Sequence, residues 1–403
     1  MDYINLFTNH LNWFQKAGPR PAGSSRNREA GQYINDVFIK NGYEVETQEF
    51  PCCYWSHQRI ELSINNTYLA AVPNSYTPPC SLSLPFETFS YVEELELSDL
   101  SNRIAVIYGQ LTKEILTPKS NKFFNPKHHK TIISLLERKN PAAIIAISHE
   151  FEKPRPVIED CDFNIPSVTV SAIDGLKILM HPESTIKLSI PCQRSTGNAS
   201  NIIGRRTAGF DKKVIICANF DTKYNSTGAF DNASGTCALL TIAEILAHKD
   251  LNIGLELIAF NDEEYTAKGA VVYLEKYRNT FPKILSAINL DGIGNRVGVN
   301  CITSFETDSN INALIDNLLK KYPGIKRVDQ WYSADHTIFL LCNVPTLAFS
   351  SMDFPPIVQT QWDNIEWVEP RKAQEVISFV LDYVGQMSDI NARKPELINA
   401  KRQ

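Results

Sequence analysis

From Thr196 onward the chain alternates apolar, strand-like runs with amphipathic, helix-like runs, and this alternation restricts the fold more than any other feature. Val214–Ala218 reads as a buried strand, Ala233–Ala247 as a helix, Leu255–Phe260 as a strand and Gly269–Tyr277 as a helix. Ala287–Leu290, Ile311–Tyr322, Thr346–Phe349 and Lys372–Met387 continue the series to a final helix. A strand followed by a crossover helix returns in the same direction, so such a series builds parallel pairs. The expected fold class is α/β, with a mostly parallel central sheet flanked by helices.

The preceding residues have a different character. Ile4, Phe7, Leu11 and Phe14 form one stripe of an amphipathic helix. A second helix is expected over Ser25–Lys40 with Asn41-Gly42 as its stop, and Tyr43–Phe50 then alternates like a strand. From His57 the chain breaks into short β-like runs, Arg59–Ile64, Ile104–Tyr108, Ala143–Ile147, Ser167–Val170 and Thr185–Ile190, with prolines between them. Residues 1–56 and 196–403 are therefore expected to form one α/β domain, and residues 57–195 a β-rich insert. A chain of 403 residues is long enough for two cores. The polar, basic stretch Lys113–Lys130 is expected to be a mobile loop.

Charge excludes one class of partner. Forty Lys and Arg against 45 Asp and Glu leave a net charge of −5, so no basic face for nucleic acid is expected. No run approaches the roughly 20 apolar residues that a membrane-spanning helix needs. Met1–Phe7 lacks the basic start and apolar core of a signal peptide, and the nine cysteines are an odd, scattered set. A cytoplasmic protein with free thiols is the expectation.

The chemistry is suggested by acids at strand ends. Val214–Ala218 leads into Asn219-Phe220-Asp221, and the next loop ends in Phe230-Asp231-Asn232-Ala233-Ser234-Gly235. Leu255–Phe260 leads into Asn261-Asp262-Glu263-Glu264, and Ala287–Leu290 ends on Asp291. A later loop holds Asp335-His336. Each piece alone has a bland reading as a capped turn or a solvated helix start. Together they lie where parallel sheets collect functional groups. Carboxylates converging on one edge repel unless cations neutralise them, and a histidine among them favours zinc. Adjacent glutamates suggest a division of labour, one binding metal and the other free to take a proton from water.

With these residues in place, the sequence resembles the zinc aminopeptidase family that includes bacterial leucyl aminopeptidases, aminopeptidase Y, glutamate carboxypeptidase and the transferrin receptor ectodomain. The resemblance opens at Gly18-Pro19-Arg20-Pro21-Ala22-Gly23-Ser24 and covers residues 1 to about 56 and 196–403. The insert, through Arg103–Ile107, Asn140–Ile145 and Ile165–Val168, resembles the protease-associated domain that many relatives carry at this place. The resemblance implies a metal-bridging carboxylate at Asp231, further metal ligands at Glu264, Asp291 and His336, and Glu263 as general base. It also implies an orienting role for Asp221. Two departures stand out. Asn219 occupies the place of a family histidine, and Gln359-Thr360 stands where the family usually has His-Thr. An amide oxygen at Asn219 is a weaker zinc ligand, so one tightly held zinc and a second, weaker divalent position are expected.

The implied activity is an aminopeptidase acting on peptide substrates. The alternatives are a binding protein on an inactive peptidase fold, and a one-zinc enzyme like glutaminyl cyclase.

Overall fold

The computed structural model describes residues 2–121 and 125–400, and of 393–400 the backbone alone. The chain divides into two compact units, residues 1–52 with 198–403, and residues 53–197.

The first unit is built on an eight-stranded sheet. Its order is Glu44–His57, Cys192–Arg206, Gly254–Phe260, Lys213–Asn219, Ile284–Leu290, Thr346–Met352, Val299–Phe305 and Ile325–Arg327. The four strands from Gly254–Phe260 to Thr346–Met352 are parallel. They are the apolar runs that the alternation marked. Val214, Ile215, Ile216, Cys217 and Ala218 are all fully buried, as a central parallel strand covered on both faces requires. The flanks are different: Cys192–Arg206 runs antiparallel to Gly254–Phe260, and Val299–Phe305 antiparallel to Thr346–Met352. The sheet is thus mixed: most of its pairs are parallel, including Val299–Phe305 with Ile325–Arg327, and antiparallel pairs stand on either side of the central four strands. Val299–Phe305 was not visible as a strand because Asn300, Thr303 and Ser304 interrupt its apolar pattern. Asn300 is buried only because distant groups satisfy it: Gly294 N–H donates to its Oδ1 at 2.8 Å, and its Nδ2 donates to Lys372 O at 2.9 Å.

The helices Tyr3–Ala17, Ser25–Lys40 and Ser234–Leu246 and the C-terminal helix from Pro370 share one apolar core with the strands. Asp2 and Ser24 cap the first two helices by accepting from Ile4 and Asn5, and from Asn27. Helix Ser234–Leu246 begins against the end of Ile284–Leu290. A Cβ on Gly235 would lie 2.1 Å from the Leu290 carbonyl oxygen, so only glycine permits this approach.

The second unit has its own eight-stranded sheet. Its middle strands, Cys80–Phe89, Ile104–Ile107, Ala143–Ile147 and Ser167–Val170, run parallel, and three helices, Val92–Leu97, Lys127–Lys139 and Ala172–Leu179, accompany them. This unit is mixed α/β, with more helix than the β-rich insert the sequence had suggested. Helix Lys127–Lys139 starts inside the expected loop Lys113–Lys130. Its polar start, Lys127-His128-His129-Lys130, masks the buried face made by Ile132, Ile133, Leu135 and Leu136. Residues 122–124 of that expected loop lie outside the described residues. No described helix is long and apolar enough to cross a membrane.

Near the start of strand Gly254–Phe260, the buried Glu256 accepts from Arg205 Nε at 2.7 Å, Lys213 Nζ at 3.0 Å and the Tyr273 hydroxyl. The two cations hold its carboxyl below the usual range despite burial. Removing a buried carboxylate strands its partners, so Glu256→Ala is expected to cost on the order of 3 kcal/mol. Urea unfolding measures this, and a loss below about 0.5 kcal/mol would contradict the assignment.

Candidate active site

Three of the parallel strands deliver acids at their carboxyl ends, where open α/β sheets place their sites. Lys213–Asn219 leads to Asp221, and Ile284–Leu290 to Asp291. Gly254–Phe260 leads to Glu263 and Glu264, which open the short helix Glu263–Thr266. Asp231 comes from the loop that precedes helix Ser234–Leu246.

Asp221 is fully buried and braces the glutamate pair. Its Oδ1 accepts the Glu263 N–H and its Oδ2 the Glu264 N–H, both at 3.2 Å. Asn219 does not present a free oxygen. Its Oδ1 accepts from Asn232 Nδ2 at 2.7 Å, while its own Nδ2 is buried without a partner. Asn232 joins three elements. It also donates to Leu290 O at 2.9 Å and accepts from Gly235 N at 3.0 Å and Gly292 N at 3.1 Å, so all four of its bonding positions are filled.

Two charged side chains that the sequence did not mark as functional fix the loop carrying Asp231. Arg20 is fully buried and donates to Phe220 O at 2.6 Å, Thr227 O at 2.7 Å and Gly228 O at 3.0 Å. Burial draws its pKa down to about 10. From the other side, Asp363 accepts from Phe230 N at 2.7 Å and Asp231 N at 2.9 Å. Burial pushes Asp363 up to about 6 against those bonds. The Pro19-Arg20-Pro21 setting was the signal for Arg20; Asp363 had none.

The two glutamates have different surroundings. Glu263 lines a cavity of about 630 Å³ together with Asp231, Asp291, Trp331, Phe354 and Gln359. Glu264 is not among the lining residues, and its Oε2 accepts from Gln359 Nε2 at 3.1 Å. Asp335, which the sequence passed over in favour of its neighbour, is buried with Oδ1 unpartnered and acts electrostatically on Glu263. Burial, then neighbouring carboxylates, raises Asp231, Glu263, Glu264 and Asp335 well above the ordinary range, and Asp291 to about 6. Lys223 partly offsets this at Asp231 and Glu264.

His336 departs from its expected place. It is fully buried, stacked on Phe305 at 5.3 Å between centroids, with Nε2 2.9 Å from Trp331 O. Its Nδ1 has no partner, it does not line the cavity, and no carboxylate acts on it. Burial alone takes its pKa down to about 4. The side chain beside Glu264 is Gln359, not His336. Among the described residues, two groups of His, Cys, Asp or Glu gather ligand atoms within 4.8 Å, and neither includes these acids. One is Glu114, His128 and His129. There the Thr117 N–H donates to His129 Nδ1 at 3.2 Å, which leaves the proton on Nε2, facing Glu114 at 3.0 Å. That trio is a hydrogen-bond network.

Residues 201–384 match the model of Peptidase family M28. The M28 match spans Asp221, Asp231, Glu263, Glu264, Asp291 and Asp363. The chain is 22% identical to a probable leucine aminopeptidase 2 of Arthroderma benhamiae, over 83% of this chain and 70% of that one. Its fold is similar to a zinc aminopeptidase from Bacillus subtilis, with a TM-score of 0.78 at 19% identity over 95% and 94% of the two chains. An aminopeptidase from Aneurinibacillus gives 0.76 at 18% identity over 95% and 93%. Porphyromonas gingivalis glutaminyl cyclase gives 0.53 at 13% identity over 96% and 100%. The matched residues include the four central parallel strands and the acids at their ends.

A neutral buried His336 makes a specific pH signature. Its folded pKa lies below the unfolded value of about 6.5, so its contribution is present above pH 6.5 and is lost as pH falls toward 4. Relative to His336→Gln, the unmodified chain should lose on the order of 2–3 kcal/mol across that window by denaturant titration. A constant difference between the two would contradict the burial argument. Asp363→Asn should leave one loop N–H facing a donor, costing about 1–3 kcal/mol, read as a lowered Tm.

Proposed function

We propose that the chain is an exopeptidase of the aminopeptidase type, removing residues from the free amino end of peptides. The observation that carries this is the division of the glutamates: Glu263 faces the cavity, and Glu264 is held by Gln359. Burial, then the neighbouring carboxylates, raises Glu263 well above the ordinary carboxylate range, the kind of perturbation that collects at functional sites. In this reading Glu263 takes a proton from water as the water attacks the scissile carbonyl, then returns it to the leaving nitrogen. Asp221 positions Glu263 through its backbone N–H. Asp231, Glu264 and Asp291 are the proposed cation ligands. His336 and Asn219 are left out, because one is turned to Trp331 O and the other has its oxygen on Asn232.

The aminopeptidase relatives imply zinc. Gln359, beside Glu264, and Asn219, at the end of the strand that leads to Asp221, offer amides where zinc sites take at least one imidazole or thiolate. The donor set does not fit a tight zinc site, and no step is derived through that metal. We also assign residues 1–52 and 198–403 as the catalytic body and the intervening unit as the protease-associated-type insert, on the position and strand motifs of that unit.

A second reading is favoured by the same amides, namely a peptide-binding protein on an inactive peptidase fold. Glu263→Gln separates the two. With aminoacyl-nitroanilides as substrates, the variant should keep the fold by circular dichroism and lose at least about 10²-fold in kcat/KM. No hydrolysis by the unmodified chain, with Zn²⁺, Mn²⁺, Mg²⁺ or Ca²⁺ supplied, would favour the binding protein.

A further inference from the structure

We infer that Cys53 and Cys161 form a redox-active thiol pair, in which hydrogen peroxide oxidises Cys53 and Cys161 then closes a disulfide onto it. The pair is independent of the peptidase reading, since Cys53, Cys161 and Arg194, which stands beside them, all lie in the second unit.

Cys53 lies on the strand Glu44–His57, whose neighbour in the sheet is Cys192–Arg206. The Gln58 N–H donates to Pro191 O at 2.9 Å where the chain segments meet. Arg194, on the neighbouring strand, reaches across to the turn at residues 160–163 that carries Cys161. Its guanidinium donates to Cys161 O, to Phe163 O at 3.1 Å and to Asn164 Oδ1 at 3.2 Å. The turn is also closed from within, by the Phe163 N–H on Asp160 O at 3.2 Å. Held in this way, the Cys161 thiol donates a hydrogen bond to the Cys53 sulfur. Both thiols are partly exposed, within reach of a small oxidant.

Charge then distinguishes the two. The Arg194 guanidinium also bonds the Cys53 sulfur. The hydrogen bond from Cys161 and, against burial, the charge of Arg194 bring the Cys53 thiol down to about 7. At that value a thiolate is both populated and nucleophilic at neutral pH. Cys161 moves the other way: its bond to Cys53, burial and the Asp162 charge push its thiol up, so the shared proton stays on Cys161. Cys80 and Cys192 also act on one another, but burial raises both, and no cation is among the groups acting on Cys80. The ligand atoms of Asp160, Cys161 and Asp162 gather within 4.8 Å. Both Asp160 oxygens, however, already accept backbone N–H groups, from Asp162 and Lys119 at 2.8 Å each, and a metal ion there would face the Arg194 guanidinium.

The oxidation proceeds in two balanced steps. The Cys53 thiolate attacks one peroxide oxygen: the S–O bond forms, the O–O bond breaks, and the released hydroxide takes a proton from solvent. The Cys161 sulfur then attacks the Cys53 sulfur: the S–S bond forms, the S–O bond breaks, and the departing hydroxide takes the Cys161 proton. The two thiols lose two electrons, and the peroxide becomes two waters.

To test this, the full-length chain is reduced, freed of reductant and of metal with EDTA, and treated with hydrogen peroxide. Thiol titration in denaturant should show two of the nine thiols lost, and non-reducing digestion should place the bridge between Cys53 and Cys161. Dithiothreitol should restore both. Before oxidation, Cys53 should react with iodoacetamide at pH 7 at least about tenfold faster in the unmodified chain than in Arg194→Gln. Cys161→Ser should leave a sulfenic acid on Cys53 that dimedone captures, which decides the matter if Arg194→Gln does not fold. A bridge between Cys80 and Cys192 instead, oxidation of Cys53 without a bridge, or alkylation of Cys53 unmoved by Arg194→Gln would each overturn the inference. So would a metal that the reduced chain keeps through EDTA and releases when Cys53 is alkylated.

Discussion

Asp221, Asp231, Glu263, Glu264, Asp291 and Asp335 crowd one edge of the sheet, where burial and mutual repulsion drive each carboxyl toward its protonated form. Such a cluster tends to spread apart unless its backbone is held. Much of the surrounding structure does that holding. Asn232 ties the ends of two parallel strands to the start of a helix, and Arg20 and Asp363 both hold the loop between them. Asp221 gives its charge to two backbone N–H groups, which leaves Glu263 as the acid turned to the cavity.

This arrangement separates positioning from chemistry. The positioning groups are buried and fully bonded: Asn232 fills all four of its bonding positions, and both oxygens of Asp363 accept backbone N–H groups. The acid-bearing edge is under-bonded. Asp335 Oδ1 and Asn219 Nδ2 have no partners, and Glu264 relies on a single amide donor from Gln359. A site whose surroundings are satisfied and whose centre is not is ready for a charged ligand. The acids converge here because the parallel strands of the sheet present their carboxyl ends together, and Asn219 and Gln359 bring amides among them.

Where the sequence was legible, it was through short-range regularities. The four central strands were visible because continuous apolar runs of that length bury both faces, and the acids were visible because each follows a strand directly. The helix Ser25–Lys40 was bounded by Ser24 and Asn41-Gly42, whose capping roles are local. Val299–Phe305 and Lys127–Lys139 were hidden because polar residues interrupt or precede their apolar faces. Asn300 is buried only because Gly294 and Lys372 reach it, and the helix conceals its apolar face behind a basic start.

The sequence by itself determined that acids from successive strand ends must share one edge, since parallel strands in one sheet all present the same end there. It also determined that Asn219 and Gln359 are amides where the family resemblance implies histidines, because residue identity requires no coordinates. Which side chain stands beside Glu264 was a tertiary matter. His336 directly follows an acid, yet its ring is stacked on Phe305 and turned to a carbonyl, while Gln359 arrives from a loop 95 residues beyond Glu264. Adjacency in sequence fixes neither the direction of a side chain nor its distance from another element. Those follow from packing, and packing put an amide where a ring nitrogen had been expected.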